Sequence, residues 1–168
     1  MPNNKVLIPL NQSELSQEIL PQVEKFISAE ANELILFFVT RPPSGAGFGE
    51  PDLAAGYAPR PGDKPVMPTL HPIYESQQED SITAHVEAEL ASITSHLSDA
   101  GYKVSLVVGF DKDPVDAILA EISKSKIDLV AMSTRARVGV TRFFFRDIAD
   151  TLALKAKIPV LLTHPPEA

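Results

Sequence analysis

The stretch Lys5-Val6-Leu7-Ile8-Pro9-Leu10-Asn11-Gln12-Ser13 decides the fold. Its apolar run reads as a buried strand that ends at Leu10, because Asn11-Gln12-Ser13 is a turn signal and Ser13 is a natural helix N-cap. Downstream, Leu15, Ile19, Leu20, Val23, Phe26 and Ile27 recur at helical spacing. They predict one helix with an apolar face, kinked or short of one hydrogen bond at Pro21. Glu33-Leu34-Ile35-Leu36-Phe37-Phe38-Val39 follows as a second strand, apolar enough to be covered on both faces. The order β-α-β sets the pattern for the rest of the chain.

Residues 41–74 interrupt it. They carry eight of the fifteen prolines together with Gly45, Gly47, Gly49, Gly56 and Gly62. Such a stretch holds neither ladder nor helix, so it reads as a long Pro/Gly-rich excursion. Its Gly-Ala-Gly-Phe-Gly-Glu piece is not a phosphate cradle, since no helix pattern opens after it. From about Glu75 to Ala100 a helix is expected, with Ile82, Val86, Leu90, Ile93 and Leu97 on one face and Gly101 as its stop. Val104 to Val108 is a third strand. Asp113-Pro114 supplies an N-cap and a first-turn proline for a helix whose stripe is Val115, Ile118, Leu119 and Ile122. Ile127 to Met132 is a fourth strand, Asp147 to Ala156 a last helix, and Pro159 to Thr163 a fifth strand.

Strands alternating with helices imply a three-layer α/β sandwich, a single domain with a five-stranded parallel sheet and right-handed crossovers. Ligands of such sheets bind beyond the carboxyl ends of the strands, where the strand order reverses. That rule gathers Asn11, Val39, Gly109, Met132 and Ser133 around one cleft. The chain has 168 residues, no cysteine and a net charge of −7. One core of ordinary size is therefore expected, without disulfides or thiolate chemistry. The acidic balance argues against nucleic acid and anionic membrane as partners, and no apolar run approaches the ~20 residues of a membrane span. The cytoplasm is the expected compartment. His71, His85, His96 and His164 have no metal spacing, and no Gly-x-Ser-x-Gly elbow is present.

The segments Val6 to Leu15 with Leu20-Pro21, Val108-Gly109 with Pro114 to Leu119, and Asp128-Leu129-Val130-Ala131-Met132 through Ile158-Pro159-Val160-Leu161-Leu162 resemble the universal stress protein family. The resemblance implies a Rossmann-like, adenine-nucleotide alpha-hydrolase-like domain that is commonly a homodimer. It also implies a division between members that bind ATP and members that do not. The binders carry Gly, two residues, Gly, nine residues, Gly and then Ser or Thr after the fourth strand. Those positions fall here on Ser133, Ala136, Arg146 and Asp147, and all four depart from the pattern. Glycine in such a loop lets backbone N–H groups approach phosphate without a Cβ in the way. Arg146 is bulky, and Asp147 places a carboxylate where a phosphate would sit, with a repulsion of several kcal/mol at an effective dielectric of about 20.

Asn11, at the position of the binders' aspartate, retains a hydrogen-bonding side chain for a ribose, and Val39 and Met132 are placed to flank a base. Arg135, Arg137, Arg142 and Arg146 offer forked guanidiniums to an anion, or else pair with acids such as Asp147 and Asp150. Phe143-Phe144-Phe145 reads as core or subunit contact in preference to a stacking platform. Val160, Leu161 and Leu162 form an apolar terminal strand whose open edge is an aggregation hazard; pairing with its copy across a two-fold axis removes it. The expected protein is thus a dimeric, non-catalytic stress-response binding or signalling protein without cofactor. The alternatives are a member that binds ATP or another adenine nucleotide through its arginines, and an interaction module that offers the Pro-rich excursion to a protein partner.

Overall fold

The computed structural model describes residues 4–11, 14–42, 72–134 and 148–164, in which five strands follow one another with a helical connection between each pair, as expected, the first connection holding two helices. The strands are β1 (Asn4–Leu10), β2 (Asn32–Thr40), β3 (Lys103–Phe110), β4 (Leu129–Ser133) and β5 (Val160–Thr163). The helices are α1 (Glu14–Gln17), α2 (Leu20–Phe26), α3 (Pro72–Asp99), α4 (Pro114–Ser125) and α5 (Ile148–Lys155). The strands form one parallel sheet in the order β3-β2-β1-β4-β5. The chain builds outward from β1 to β3, then returns to the other side of β1 for β4 and β5. The order reverses between β1 and β4, and β5 is an edge strand.

Alternation along the strands divides the interior into two layers. Val6, Ile8 and Leu10 of β1 and Leu34, Leu36 and Phe38 of β2 face Val23 of α2 and Val86, Leu90 and Leu97 of α3. Leu7, Ile35 and Phe37 face Ala117, Ile118 and Ile122 of α4 and Ala149 and Leu152 of α5. Burial of a side chain such as Leu7 or Ile8, each fully enclosed, contributes about 1.5–3 kcal/mol. The apolar runs of the two central strands are thus explained by cover on both faces.

The helix ends follow local chemistry. Gly101, at φ 95°, closes α3 with the paired bonds Gly101 N–H to Ser98 O and Tyr102 N–H to Leu97 O. Glycine adopts that left-handed conformation without a Cβ penalty. Asp113 caps α4 as expected, its carboxylate accepting from the Val115 and Asp116 N–H groups at 2.8 and 3.4 Å. The single helix expected after Ser13 is instead two. Pro21 has no N–H to carry the ladder back to Gln17, so the chain breaks at Glu18-Ile19 and restarts with Pro21 in the first turn of α2. Phe26 is also not on the buried stripe. Ile19, Val23 and Ile27, four apart, fill it, while Phe26 is 66% exposed and carries the Lys25 ammonium at 5.2 Å from its ring centre.

Tyr102 ties the end of α2 to β3: buried, it donates its hydroxyl to Ile27 O at 2.6 Å. Burial, and secondarily the Glu24 carboxylate, raise its pKa above the ordinary tyrosine value. Across the strand-order reversal, Asp128 accepts from the Lys5 N–H at 2.8 Å and donates its own N–H to Lys5 O at 2.9 Å. The Ser13 cap, residues 43–71 of the excursion and Phe143 to Phe145 lie outside the described residues.

Candidate functional site

The reversal of strand order puts the carboxyl ends of β1 and β4 side by side, with Asn11 after one and Ser133-Thr134 at the end of the other. Around Asn11 the backbone is closed by one side chain. The Asn11 N–H donates to Ser16 Oγ and that hydroxyl donates to Asn11 O, each at 3.2 Å. Residue 11 therefore sits in a turn braced by α1. Nothing in the apolar pattern announces this bond, although serine hydroxyls commonly bond backbone groups close to them in the chain.

Ser133 and Thr134 are buried, at 8% and 6% exposure. The Ser133 hydroxyl lies 3.2 Å from the Thr163 hydroxyl, and the Thr134 N–H donates to Thr163 O at 2.9 Å. His164 Nδ1 stands 3.2 Å from Thr134 O. A carbonyl only accepts, so Nδ1 is the N–H of that ring. The end of β4 is thereby bonded to the end of β5. Sequence reasoning missed these contacts because they join residues thirty apart.

Met132, expected to flank a base, belongs to the layer beneath α4 and α5 and is 8% exposed. Val39 packs on the same layer and stays half-buried. Gly109 is in register with Val39 on β3, two strands from β1 and so about 10 Å across the sheet. Its missing side chain is accounted for within the protein. A Cβ built there would lie 2.6 Å from Cζ and 2.9 Å from Cε2 of Phe37, a buried ring. The signal was present in the sequence, since glycine inside a strand marks close approach of another group. Only the structure identifies the group as Phe37. Arg135, Ala136, Arg146 and Asp147 of the expected cleft lie outside the described residues.

A cavity of about 300 Å³ opens between the first turn of α4 and one side of α5, with Lys112, Asp116, Ile148, Thr151 and Lys155 on its walls. The Asp113 carboxylate already holds the free N–H groups of α4 at its rim, so that helix end carries its own anion. Among the described residues, no group of three or more His, Cys, Asp or Glu side chains could hold a metal ion, and no helix is long and apolar enough to cross a membrane.

A five-stranded parallel sheet in the order 3-2-1-4-5, with helices on both faces and its crevice between β1 and β4, defines a Rossmann-like α/β domain. The sequence profile of the universal stress protein family matches residues 2–164, and the chain belongs to that family. No curated protein matches the sequence closely enough to add to this. Among solved structures, universal stress protein UspA from Lactobacillus plantarum is similar at 13% identity, with 96% of this chain and 98% of that one covered and a TM-score of 0.61. A universal stress protein in complex with cAMP is similar at 19% identity, 96% and 97% coverage and a TM-score of 0.62. A family protein from Arabidopsis thaliana with AMP bound is similar at 13% identity, 96% and 91% coverage and a TM-score of 0.57. At these identities the likeness is one of fold.

Proposed function

We propose that the chain is a dimeric stress-response binding or signalling protein of the cytoplasm that does not bind ATP and is not a catalyst. Family membership supports a stress-associated regulatory role. The observation that carries the reading on ATP is at residue 133, where ATP binders place the first glycine of their phosphate loop. Here a serine is buried and its hydroxyl meets Thr163, so the strand end is engaged in packing. The replacement of the later positions by Ala136, Arg146 and Asp147 points the same way, with Asp147 bringing a carboxylate to the place of a phosphate. The apolar, uncharged edge of β5 supports homodimerisation through Val160, Leu161 and Leu162.

One finding favours a second reading: proteins of the same fold have been solved with cAMP and with AMP. In that reading Arg135, Arg137 or Arg146 takes the phosphate of an adenine nucleotide, and Asn11 and Val39 hold the nucleoside. Calorimetric titration with ATP, ADP, AMP and cAMP separates the two, alongside mass spectrometry for nucleotide carried through purification. The first reading expects no binding at micromolar nucleotide, and expects the double variant Arg146→Gly, Asp147→Ser to gain affinity for ATP. Micromolar binding of ATP by the unaltered chain would remove it. A role for the 41–74 excursion in holding a protein partner is tested by limited proteolysis with and without cell extract, protection of that stretch being the expected result.

A further inference from the structure

β3, at the far side of the sheet from β5, has its backbone divided by its pairing with β2. The Asp111 N–H donates to Thr40 O at 3.0 Å, and Thr40 stands opposite Phe110. By the alternation of a strand, Lys103, Ser105, Val107 and Gly109 likewise turn their backbone groups toward β2. Those of Val104, Leu106, Val108 and Phe110 are turned outward, and among the described residues they have no hydrogen-bond partner. Such a row is a template for a further strand unless charge, proline or a bulge guards it. No proline or charged side chain occurs from Val104 to Phe110, and the register with β2 runs unbroken from Glu33 to Thr40. Lys103, at the start of the strand, is turned to Glu33, with Nζ 3.0 Å from Oε2.

The two faces beside this edge differ. α3 packs on β3, with Val104, Leu106 and Val108 against the layer of Val86, Leu90 and Leu97. His96, whose Nε2 lies 3.1 Å from Glu24 Oε1, marks the flank of α3 that faces α2. At about 100° per residue, Thr83, Thr94, Glu87 and Asp80 fall on the opposite flank, beside the β3 edge. Both threonines are half-buried, both acids are exposed, and α3 contains no lysine or arginine. On the other face, Val107 packs on the layer beneath α4 and Gly109 meets the Phe37 ring, so that side is apolar.

We propose that the β3 edge takes an extended, basic segment of another protein as a sixth strand of the sheet. Alternate lysine or arginine side chains of that segment lie toward Glu87 and Asp80, and the apolar side chains between them lie beside Val107 and Gly109. Main-chain bonds to Val104, Leu106, Val108 and Phe110 give the affinity, and the two unlike faces give the alternating pattern. Charge decides against the edge's own copy. A two-fold pairing of β3 edges would lay α3 beside its copy, with Glu87 and Asp80 on facing flanks and no lysine or arginine on α3 to offset them. The inference adds a docking surface to the binding role proposed above, and it holds with or without ATP binding and with or without dimerisation through β5.

The probe is an acetylated and amidated peptide of alternating lysine and valine, as long as β3, titrated into the isotope-labelled full chain and followed by NMR. Shifts are expected at the amides of Val104, Leu106, Val108 and Phe110, with slowed hydrogen exchange at the same four. Methylating the backbone nitrogens of one alternating set of peptide residues is expected to abolish binding, and methylating the other set to leave it. The same lysines and valines arranged in two blocks should bind more weakly, and glutamate in place of lysine should remove binding. Asp80→Lys with Glu87→Lys, both at exposed positions, is expected to weaken binding by about tenfold, as two exposed ion pairs turn repulsive. Shifts confined to other surfaces, equal binding of the alternating and block peptides, or no binding at about 1 mM peptide overturn the proposal. Slow exchange of the four amides in the free chain at every concentration would place a segment of the chain itself on the edge. Protection that rises with protein concentration would place a second copy there, and either result overturns the proposal.

Discussion

Gly109 separates a packing role from a ligand role. In Gly109→Ala the new methyl would meet Phe37 Cζ at 2.6 Å and Cε2 at 2.9 Å, well inside ordinary carbon contact. The ring is 2% exposed in the layer beneath α4 and α5, so it cannot swing into solvent. Overpacking of this kind costs about 1–3 kcal/mol. Alanine in a strand recovers about 0.5–1 kcal/mol through the lower entropy of the unfolded chain. The net expectation is a loss of about 0–2.5 kcal/mol, a fall in Tm of up to roughly 10 °C for a chain of this length. Urea unfolding of the wild type, Gly109→Ala, Phe37→Leu and the double variant measures it. Phe37→Leu shortens the ring to a branched chain and relieves the contact, so the alanine should cost about 1 kcal/mol less in that background. A neutral or stabilising Gly109→Ala in the wild-type background, with no coupling to Phe37, would refute the packing account and return Gly109 to the list of ligand positions.

Tyr102→Phe leaves Ile27 O without its buried donor and is expected to lose about 1–3 kcal/mol in urea unfolding. The raised tyrosine pKa has a definite sign. Below pH of about 10 both states hold the proton; above it the unfolded chain releases it first, so this contribution to stability falls as pH rises through the folded value. The wild type should therefore lose stability above pH of about 10 more steeply than Tyr102→Phe, as followed by circular dichroism against pH. Asp113→Ala removes the α4 cap, with an expected loss of about 1 kcal/mol, and Asp113→Asn should restore most of it. Ser16→Ala opens the brace on Asn11. Faster amide exchange at Asn11, with a loss of about 0.5–1.5 kcal/mol, is the expected outcome.

The five strands, the α3 stripe, the Asp113 cap and the Gly101 stop were legible in the sequence because each is set by residues near one another in the chain. Hydrophobic runs, N-caps and left-handed glycines act over a few residues, and the parallel architecture follows from their alternation. The break between α1 and α2 was half legible: Pro21 marks it, but whether a helix bends or restarts there depends on which side chains the core accepts. Phe26 lost to Ile19, Val23 and Ile27 for that reason. The site was least legible. Asn11 and Ser133 come from strands that only the order β3-β2-β1-β4-β5 sets side by side, and Phe37 fills the space over Gly109 through contacts across the sheet. The outward row of Val104, Leu106, Val108 and Phe110 likewise depends on which backbone groups β2 has already taken. The sequence by itself determined the elements, since their energies are local. Tertiary structure decided which residues meet at the crevice and which strands end the sheet, because those energies arise between segments far apart in the chain.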